Sequence, residues 1–405
     1  MTSAFAALRH RNFRIFLIGQ FISLSGTWIQ SIAQSWLLYR LTKSELILGL
    51  VTFAAHIPVL LFGAIGGVAA DRFDRRKVVI ITQSLFLVQA TVMAGLTLSG
   101  HIEVWHVLGL AFLFGVVNAF DVPSRQSLLI HMADRTDLLS AVSLNSAAFN
   151  TARAVGPSLG GIVVAAVGEG ICFALNAVSF LCVLVSLLMI KLPVVEKAPY
   201  GAPFDHLRDG FRYAWAHKRI RAVLGLCGAV TMASAPLLVL GPFFADQIWG
   251  QGSKGLGFLM AAFGVGAVVG TLTLARRAAT ANLARVAMWN AVLMGVALVL
   301  MAWAPNFYAG MVVMLACGFG VFRQNAASNT YIQQTVLEEY RGRVLSLYSM
   351  MAVGMLPIGS LTAGLLAHSL GARLTVAIGG GVALIAASLF ARHLQGSDEQ
   401  EIAVL

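Results

Sequence analysis

Charge is what this sequence has least of. Charged side chains make up 11% of its 405 residues, and only 17 residues are acidic. A water-soluble domain carries about a quarter, so the composition excludes an ordinary globular protein. Cysteine is sparse too: Cys172, Cys182, Cys227 and Cys317 each sit inside an apolar run without metal-ligand spacing. They read as small core residues, and neither a metal nor a cofactor is expected. Paired carboxylates, a nucleophile motif and a phosphate-binding glycine loop are all missing, which leaves no footing for an enzyme. No small-residue cleavage site follows the short basic start at Met1 to Arg14, so a removed signal peptide is not expected.

What the chain has in abundance is apolar length. Hydrophobic residues make up 58% of it, and mean hydropathy is +0.82. A helix needs roughly twenty apolar residues to cross a bilayer. Such runs fall at about 15–38, 46–69, 78–98, 105–123, 138–167 and 171–190. After a polar stretch they resume at about 222–244, 256–275, 283–303, 308–325, 344–370 and 374–390. The expected fold is an all-α membrane protein with twelve transmembrane helices in two six-helix halves. A net charge of +11 raises the question of nucleic acid, but the basic residues fall between apolar runs and are not interleaved with exposed aromatics. No nucleic-acid partner is expected. With the N-terminus inside, 22 of the 28 Lys and Arg residues fall on the cytoplasmic side. Four fall outside (Arg40, Lys43, Lys254, Arg373) and two within spans (Arg153, Arg323). Basic loops stay in the cytoplasm during insertion, which places both termini there.

A shift of 203 residues brings the two halves into register. Gly63, Ala64 and Gly67 fall on Gly266, Ala267 and Gly270, and Gly115 falls on Gly318. Ser143, Leu144 and Ser146 fall on Ser346, Leu347 and Ser349, while Gly156, Gly161 and Gly168 fall on Gly359, Gly364 and Gly371. One offset serving spans two, four and five implies a duplicated six-span unit. The divisions are 1–190 for the first half, 191–221 for a cytoplasmic linker and 222–405 for the second half. Within the linker Phe204, Leu207, Phe211 and Trp215 recur at helical spacing, with Arg208, Arg212 and Lys218 on other faces. That suits an amphipathic helix on the inner leaflet, or equally a linker helix packed on protein.

The loop after the second span reads Gly67-Val68-Ala69-Ala70-Asp71-Arg72-Phe73-Asp74-Arg75-Arg76-Lys77. One acid closes the apolar run and four cations follow. A glycine in the last turn of a helix lets a neighbouring backbone come close, and Asp71 faces whatever lies across that contact. The pattern G-x-x-x-D-R-x-x-R-R-K resembles the loop between spans two and three of the major facilitator superfamily, which usually has glycine where this chain has Asp74. The resemblance implies a conformational gate. Its members would be Gly67, Asp71, Arg72, Arg75, Arg76 and Gly342, with Asp71, supported by Arg75, meeting the start of span eleven near Gly342 and stabilising the outward-facing state through charge and helix dipole.

In span five Asn150, Arg153, Gly156, Pro157, Gly160 and Gly161 form N-x-x-R-x-x-G-P-x-x-G-G. Glycines admit a close neighbour and proline removes one backbone hydrogen bond, so the helix can act as a pivot, a seal or a plain tight crossing. The glycine-proline core resembles the antiporter motif of the superfamily's exporters, with Ser143 and Ala152 where that motif has two further glycines. Arg153 lies some fifteen residues into its span, roughly 22 Å deep at the helical rise. A charge there costs several kcal/mol unless it meets a partner or a wet cavity. The expected partner is Asp121, the only carboxylate well inside a span, which also precedes Arg125 by four residues on one helix face. Two roles stay open. Asp121 can alternate between pairing with arginine and binding a proton, which couples proton entry to substrate exit, or it can form a permanent ion pair. Gln20, Trp28, Gln30 and Gln34 of span one, with Asn150, Arg323 and Asn325, are candidates for the wall of a substrate cavity, since such polar groups cannot all face lipid.

From Leu8 to about Leu394 the chain is similar to the bacterial branch of enterobactin exporters and related secretion effectors. The residues that carry this are Phe21-Ile22-Ser23-Leu24-Ser25-Gly26-Thr27-Trp28-Ile29-Gln30, Asp121-x-Pro123-x-Arg125, Asn150-x-x-Arg153-x-x-Gly156-Pro157, Asn176-Ala177-x-Ser179-Phe180 and Arg341-Gly342-Arg343-Val344-x-Ser346-Leu347-Tyr348. The resemblance implies a monomeric secondary transporter of the bacterial inner membrane, working by alternating access. Its partners would be a small-molecule substrate, protons and the lipid bilayer. Its activity would be proton-coupled export of a moderately hydrophobic compound, a drug or something siderophore-like. Proton-coupled uptake is the alternative within the same fold, and a non-transport membrane scaffold is the alternative outside it.

Overall fold

The computed structural model describes residues 5–130, 132, 134, 136–190, 203–276 and 281–402; the side chains of Ala64, Asp71, Leu139, 203–208, Gly210 and 394–402 lie outside that description. Among the described residues all regular structure is helical. A short 3-10 turn, Ala6–Arg9, leads into α1 (Arg11–Thr42), α2 (Glu45–Arg72), α3 (Arg75–Leu98), α4 (Val104–Ile130), α5 (Leu138–Val167) and α6 (Glu169–Met189). The linker helix is α7 (Pro203–Ala216). Then come α8 (Lys218–Val239), α9 (Gly241–Phe243), α10 (Gly252–Ala275), α11 (Leu283–Ala302), α12 (Phe307–Thr335), α13 (Glu338–Leu370) and α14 (Ala372–Ile402).

Eleven of these helices are long and apolar enough to cross a membrane. The sequence reading expected twelve spans, and the difference is α5. Its 30 residues suffice in length, but Asn145, Asn150, Arg153 and Pro157 dilute its apolar content. The expected span at 222–244 is also broken: α8 ends at Val239, and the chain continues through α9 into a π turn, Phe244–Ile248. Pro242 has no N–H to continue the helical ladder, and Pro236, six residues earlier inside α8, already removes one of its hydrogen bonds. The spans are built inside out relative to a soluble protein. In α6, Asn176 is fully buried, whereas Leu175, Val178, Leu181, Val185 and Leu188 are exposed at helical spacing. An apolar stripe of that length facing outward suits hydrocarbon rather than water.

The chain divides into two compact units. One comprises Met1–Lys43, Ala54–Gly201 and Gln251–Ala261, the other Ser44–Phe53, Ala202–Gly250 and Ala262–Leu405. The start of α2 thus belongs with the second half of the chain and the start of α10 with the first, a departure from the division at 190 and 222. In the first unit α1 packs on α5 and α6, and α3 on α4 and α6. Phe13, Phe16, Val79, Leu128 and Leu187 fill one core cluster. In a second, Phe86 stacks on Phe180 with centroids 5.3 Å apart. In the second unit α11 packs on α12 and α14, and α8 on α13 and α14.

Close glycine crossings recur in both units. A Cβ at Gly66 of α2 would lie 2.0 Å from the Ala119 carbonyl oxygen of α4, and one at Gly115 would lie 2.4 Å from that of Ala55. On α10 and α12, Gly266 and Gly318 stand 2.0 Å and 1.9 Å from the Leu315 and Phe263 oxygens by the same measure. The expected close approach at Gly67 is corrected: nothing lies within 4 Å of its Cβ position. One residue is a 100° turn on a helix, and Gly66 takes the contact.

Candidate functional site

Asp121 is the most deeply buried carboxylate among the described residues of the first unit, 1% exposed on α4. Pro123 lies within the same helix, and four residues of α-helix bring Arg125 over Asp121. Their ion pair spans 3.3 Å, from Arg125 Nη2 to Asp121 Oδ2, though Oδ2 has no aligned hydrogen bond. The other oxygen, Oδ1, accepts from the Thr82 hydroxyl at 2.8 Å and from Gln83 Nε2 at 2.9 Å. Both donors come from α3. Two hydrogen-bond donors and one cation therefore converge on this buried carboxylate, which offsets the penalty of burying its charge. Arg153 is not among them. Its Nη2 donates to Asn150 Oδ1 one turn earlier at 3.1 Å, and its guanidinium lies 4.8 Å from the Phe149 ring centroid. The sequence paired Arg153 with Asp121; the carboxylate is instead satisfied by α3 and by its own helix.

The charged loop is held by its arginines and by Asp74. Asp74 caps α3, accepting from the backbone N–H groups of Arg76 and Lys77 at 3.0 and 3.2 Å. A side-chain cap thus stands where the superfamily uses glycine. Arg76 donates to the Leu187 and Leu188 carbonyls at 3.0 and 3.2 Å, which caps the C-terminal end of α6. Arg75 Nε donates to the Ala70 carbonyl at 3.3 Å, and Arg72 is exposed. The Asp71 side chain lies outside the described residues. At the start of α13, Gly342, like Gly67, has nothing within 4 Å of its Cβ position.

The glycines of α5 form a ridge with two contacts. A Cβ at Gly156 would lie 2.6 Å from Trp28 Cβ, and one at Gly160 would lie 3.0 Å from Ile29 Cα, both on α1. A Cβ at Gly161 would lie 2.7 Å from Gly257 Cα and 2.6 Å from the Ser253 carbonyl oxygen, both on α10. Pro157 contributes its carbonyl, 2.9 Å from the Cβ position of Gly257. Trp28, expected on a cavity wall, is a packing partner of this ridge.

Gln20 and Gln30 are 3% exposed, and Gln34 is half-buried. Gln30 donates to Gln89 Oε1 of α3 at 3.2 Å and accepts from Asn176 Nδ2 of α6 at 2.8 Å. The Ser179 hydroxyl donates to Asn176 Oδ1 at 2.9 Å. This buried chain of amides ties three helices together, so Gln30 belongs to the packing rather than to an exposed wall. In the second unit Arg323 lies with its guanidinium 5.2 Å from the Phe319 ring centroid. Asn325 accepts at its side chain from Cys227 Sγ at 3.1 Å, and at its carbonyl from the Tyr348 hydroxyl at 2.8 Å. Thr82, Gln83 and Gln89 are not singled out in the sequence, and Asn176 enters there only as part of a family motif. Each is a polar residue inside an apolar run, and that was the available signal.

The transmembrane secretion effector family matches residues 2–403 of this chain. The staphyloferrin A transporter of Staphylococcus aureus is 26% identical over 91% of this chain and 92% of its own length. The multidrug efflux pump Tap of Mycolicibacterium fortuitum is 27% identical over 87% of this chain and 88% of its own. The enterobactin exporter EntS of Shigella boydii is 25% identical over 90% and 86%. Among solved structures the nucleoside transporter NupG superposes with a TM-score of 0.74 at 16% identity, covering 95% of this chain and 99% of its own. A POT family transporter does so with a TM-score of 0.77 at 10% identity, covering 95% and 96%. The fold is that of major facilitator transporters, and the protein is a transporter rather than an enzyme. With its multiple apolar spans and a match along almost its whole length, the chain belongs to the transmembrane secretion effector family of the major facilitator superfamily.

Proposed function

We propose that this protein is a proton-coupled exporter of a small, moderately hydrophobic compound, drug-like or siderophore-like, working by alternating access across twelve spans with both termini in the cytoplasm. Relatives named as an enterobactin exporter and a multidrug efflux pump support the direction, and together with the staphyloferrin A transporter they support the substrate class. The observation that carries the coupling is Asp121, buried on α4 with a cation four residues away and two donors on α3. A proton on Asp121 neutralises the ion pair and frees Arg125. Loss of the proton restores the pair, so proton binding is tied to the arrangement of α3 and α4. In this reading Gly67, Asp71, Arg72, Arg75, Arg76 and Gly342 form the conformational gate, on the strength of the loop motif's resemblance to that of the superfamily. The glycine ridge of α5 is the rigid seam about which the helices move. Arg323, Asn325 and the Asn150–Arg153 pair present polar groups to the substrate path.

The test is transport of siderophores and drugs into inside-out vesicles under an imposed proton gradient, with wild type beside Asp121→Asn. Gradient-driven uptake that is lost in the variant, with substrate binding retained, supports the coupling role. Unchanged transport in the variant assigns Asp121 to structure alone, and a wild type indifferent to the gradient removes antiport.

A further inference from the structure

The linker helix α7 ends one residue before α8 begins at Lys218. The junction therefore sits at the mouth of an apolar span, at the depth of lipid headgroups. One face of α7 is taken by protein. Tyr213 stacks on Tyr340 of α13 with centroids 4.4 Å apart and planes 10° apart, and Asp209 pairs with Arg343 of α13 at 3.4 Å. The other face is bare: Phe211 is 56% exposed and Trp215 59%. Their rings stack on each other at 5.5 Å, and the Arg221 guanidinium lies 5.1 Å from the Trp215 centroid. Arg212 and Lys218, next to them along the chain, are exposed. Of the two acids of α7, Asp209 is committed to Arg343 on the opposite side, and the side chain of Asp205 lies outside the described residues.

We propose that this face of α7 is a binding site for an anionic phospholipid. The headgroup phosphate is held by Arg212, Lys218 and Arg221, and the top of an acyl chain lies against Phe211 and Trp215. An aromatic pair with one apolar and one polar border suits the interface by itself. Arg221 against Trp215, with the exposed Arg212 and Lys218 flanking the aromatic face, adds attraction for negative headgroups, which a zwitterionic lipid meets poorly. Because the opposite face of α7 grips Tyr340 and Arg343, a lipid held here also holds the start of α13. The proposal does not depend on what the protein transports.

The full-length protein is placed in nanodiscs of phosphatidylcholine containing either brominated phosphatidylglycerol or brominated phosphatidylcholine at equal mole fraction. The Trp215 part of the quenching is the difference between wild type and Trp215→Phe, which keeps an aromatic ring against Phe211. The expected result is stronger quenching of Trp215 by phosphatidylglycerol, with the preference falling about fivefold per charge removed in Arg212→Gln and Lys218→Gln. The charge-preserving Arg212→Lys keeps the preference. Equal quenching by the two lipids means bulk bilayer contact without headgroup selection and overturns the proposal. Quenching by neither means a face covered by protein or water, and overturns it as well.

Discussion

Two positions that a 203-residue shift brings together carry a charge in one half of the chain and none in the other. The 203-residue shift sets Asp121 and Arg125 of α4 on Gln324 and Ser328 of α12. Asp121 and Gln324 are equally buried. In α4 the pair is ionic and reaches across to Thr82 and Gln83 of α3. In α12, Gln324 Nε2 donates to the Ser328 hydroxyl at 3.0 Å and stays on its own helix. The fold does not need the charge at this position, since the second unit builds the same helix without it. A buried ion pair is a poor source of stability compared with neutral groups of similar volume. Its retention in one repeat therefore points to work other than holding helices together.

Copying the second unit into the first is the strongest way to break this comparison. Asp121→Gln with Arg125→Ser should abolish gradient-driven transport while thermal unfolding in detergent stays within about 1–2 kcal/mol of wild type. A double variant that unfolds would make the pair structural. Removing one partner is harsher on the fold: Asp121→Ala strands Arg125, Thr82 and Gln83, and should lower stability by about 3–5 kcal/mol. Gln324→Ala should lose only about 1–3 kcal/mol in the same measurement.

Next in size is the contrast between neighbouring glycines. Gly66→Ala drives a methyl into the Ala119 carbonyl and should cost about 1–3 kcal/mol. Gly67→Ala meets open space and should gain up to about 1 kcal/mol from helix propensity, read by the same thermal unfolding. The smallest effect belongs to two arginines that serve the units differently. Arg40 forms a two-pronged pair with Glu169 at 2.8 and 3.3 Å. Arg373 instead donates to the Ala302 carbonyl at the end of α11, at 3.1 Å. Arg40→Ala should cost about 1 kcal/mol or less, and that loss should shrink as salt is raised. The loss in Arg373→Ala should vary less with salt.

Hydropathy located the spans because twenty apolar residues in a row have few other uses. It undercounted the polarity of α5, where Asn150 and Arg153 serve contacts inside the helix. The Asp121–Arg125 pair was legible because a spacing of four is a fixed geometry on a helix. Thr82 and Gln83 were not, since meeting α4 depends on the rotation of α3, which side-chain packing sets. The same limit explains Gln30. Its amide cannot face lipid, but sequence alone does not distinguish a wet cavity from Gln89 and Asn176. Gly66 and Gly67 are equivalent as composition and differ only by the direction in which the helix turns them.

Gly168 and Gly371 end α5 and α13 at the same backbone angles, φ 83° with ψ 172° and 162°. That region is open to glycine and almost to nothing else. Every single-base change of a glycine codon that alters the residue installs a side chain or stops translation, so neither site has a neighbouring genotype that keeps the turn. The 203-residue offset between these two turns is therefore one that mutation has little means to erase, even though the same offset pairs an aspartate, Asp121, with a glutamine, Gln324.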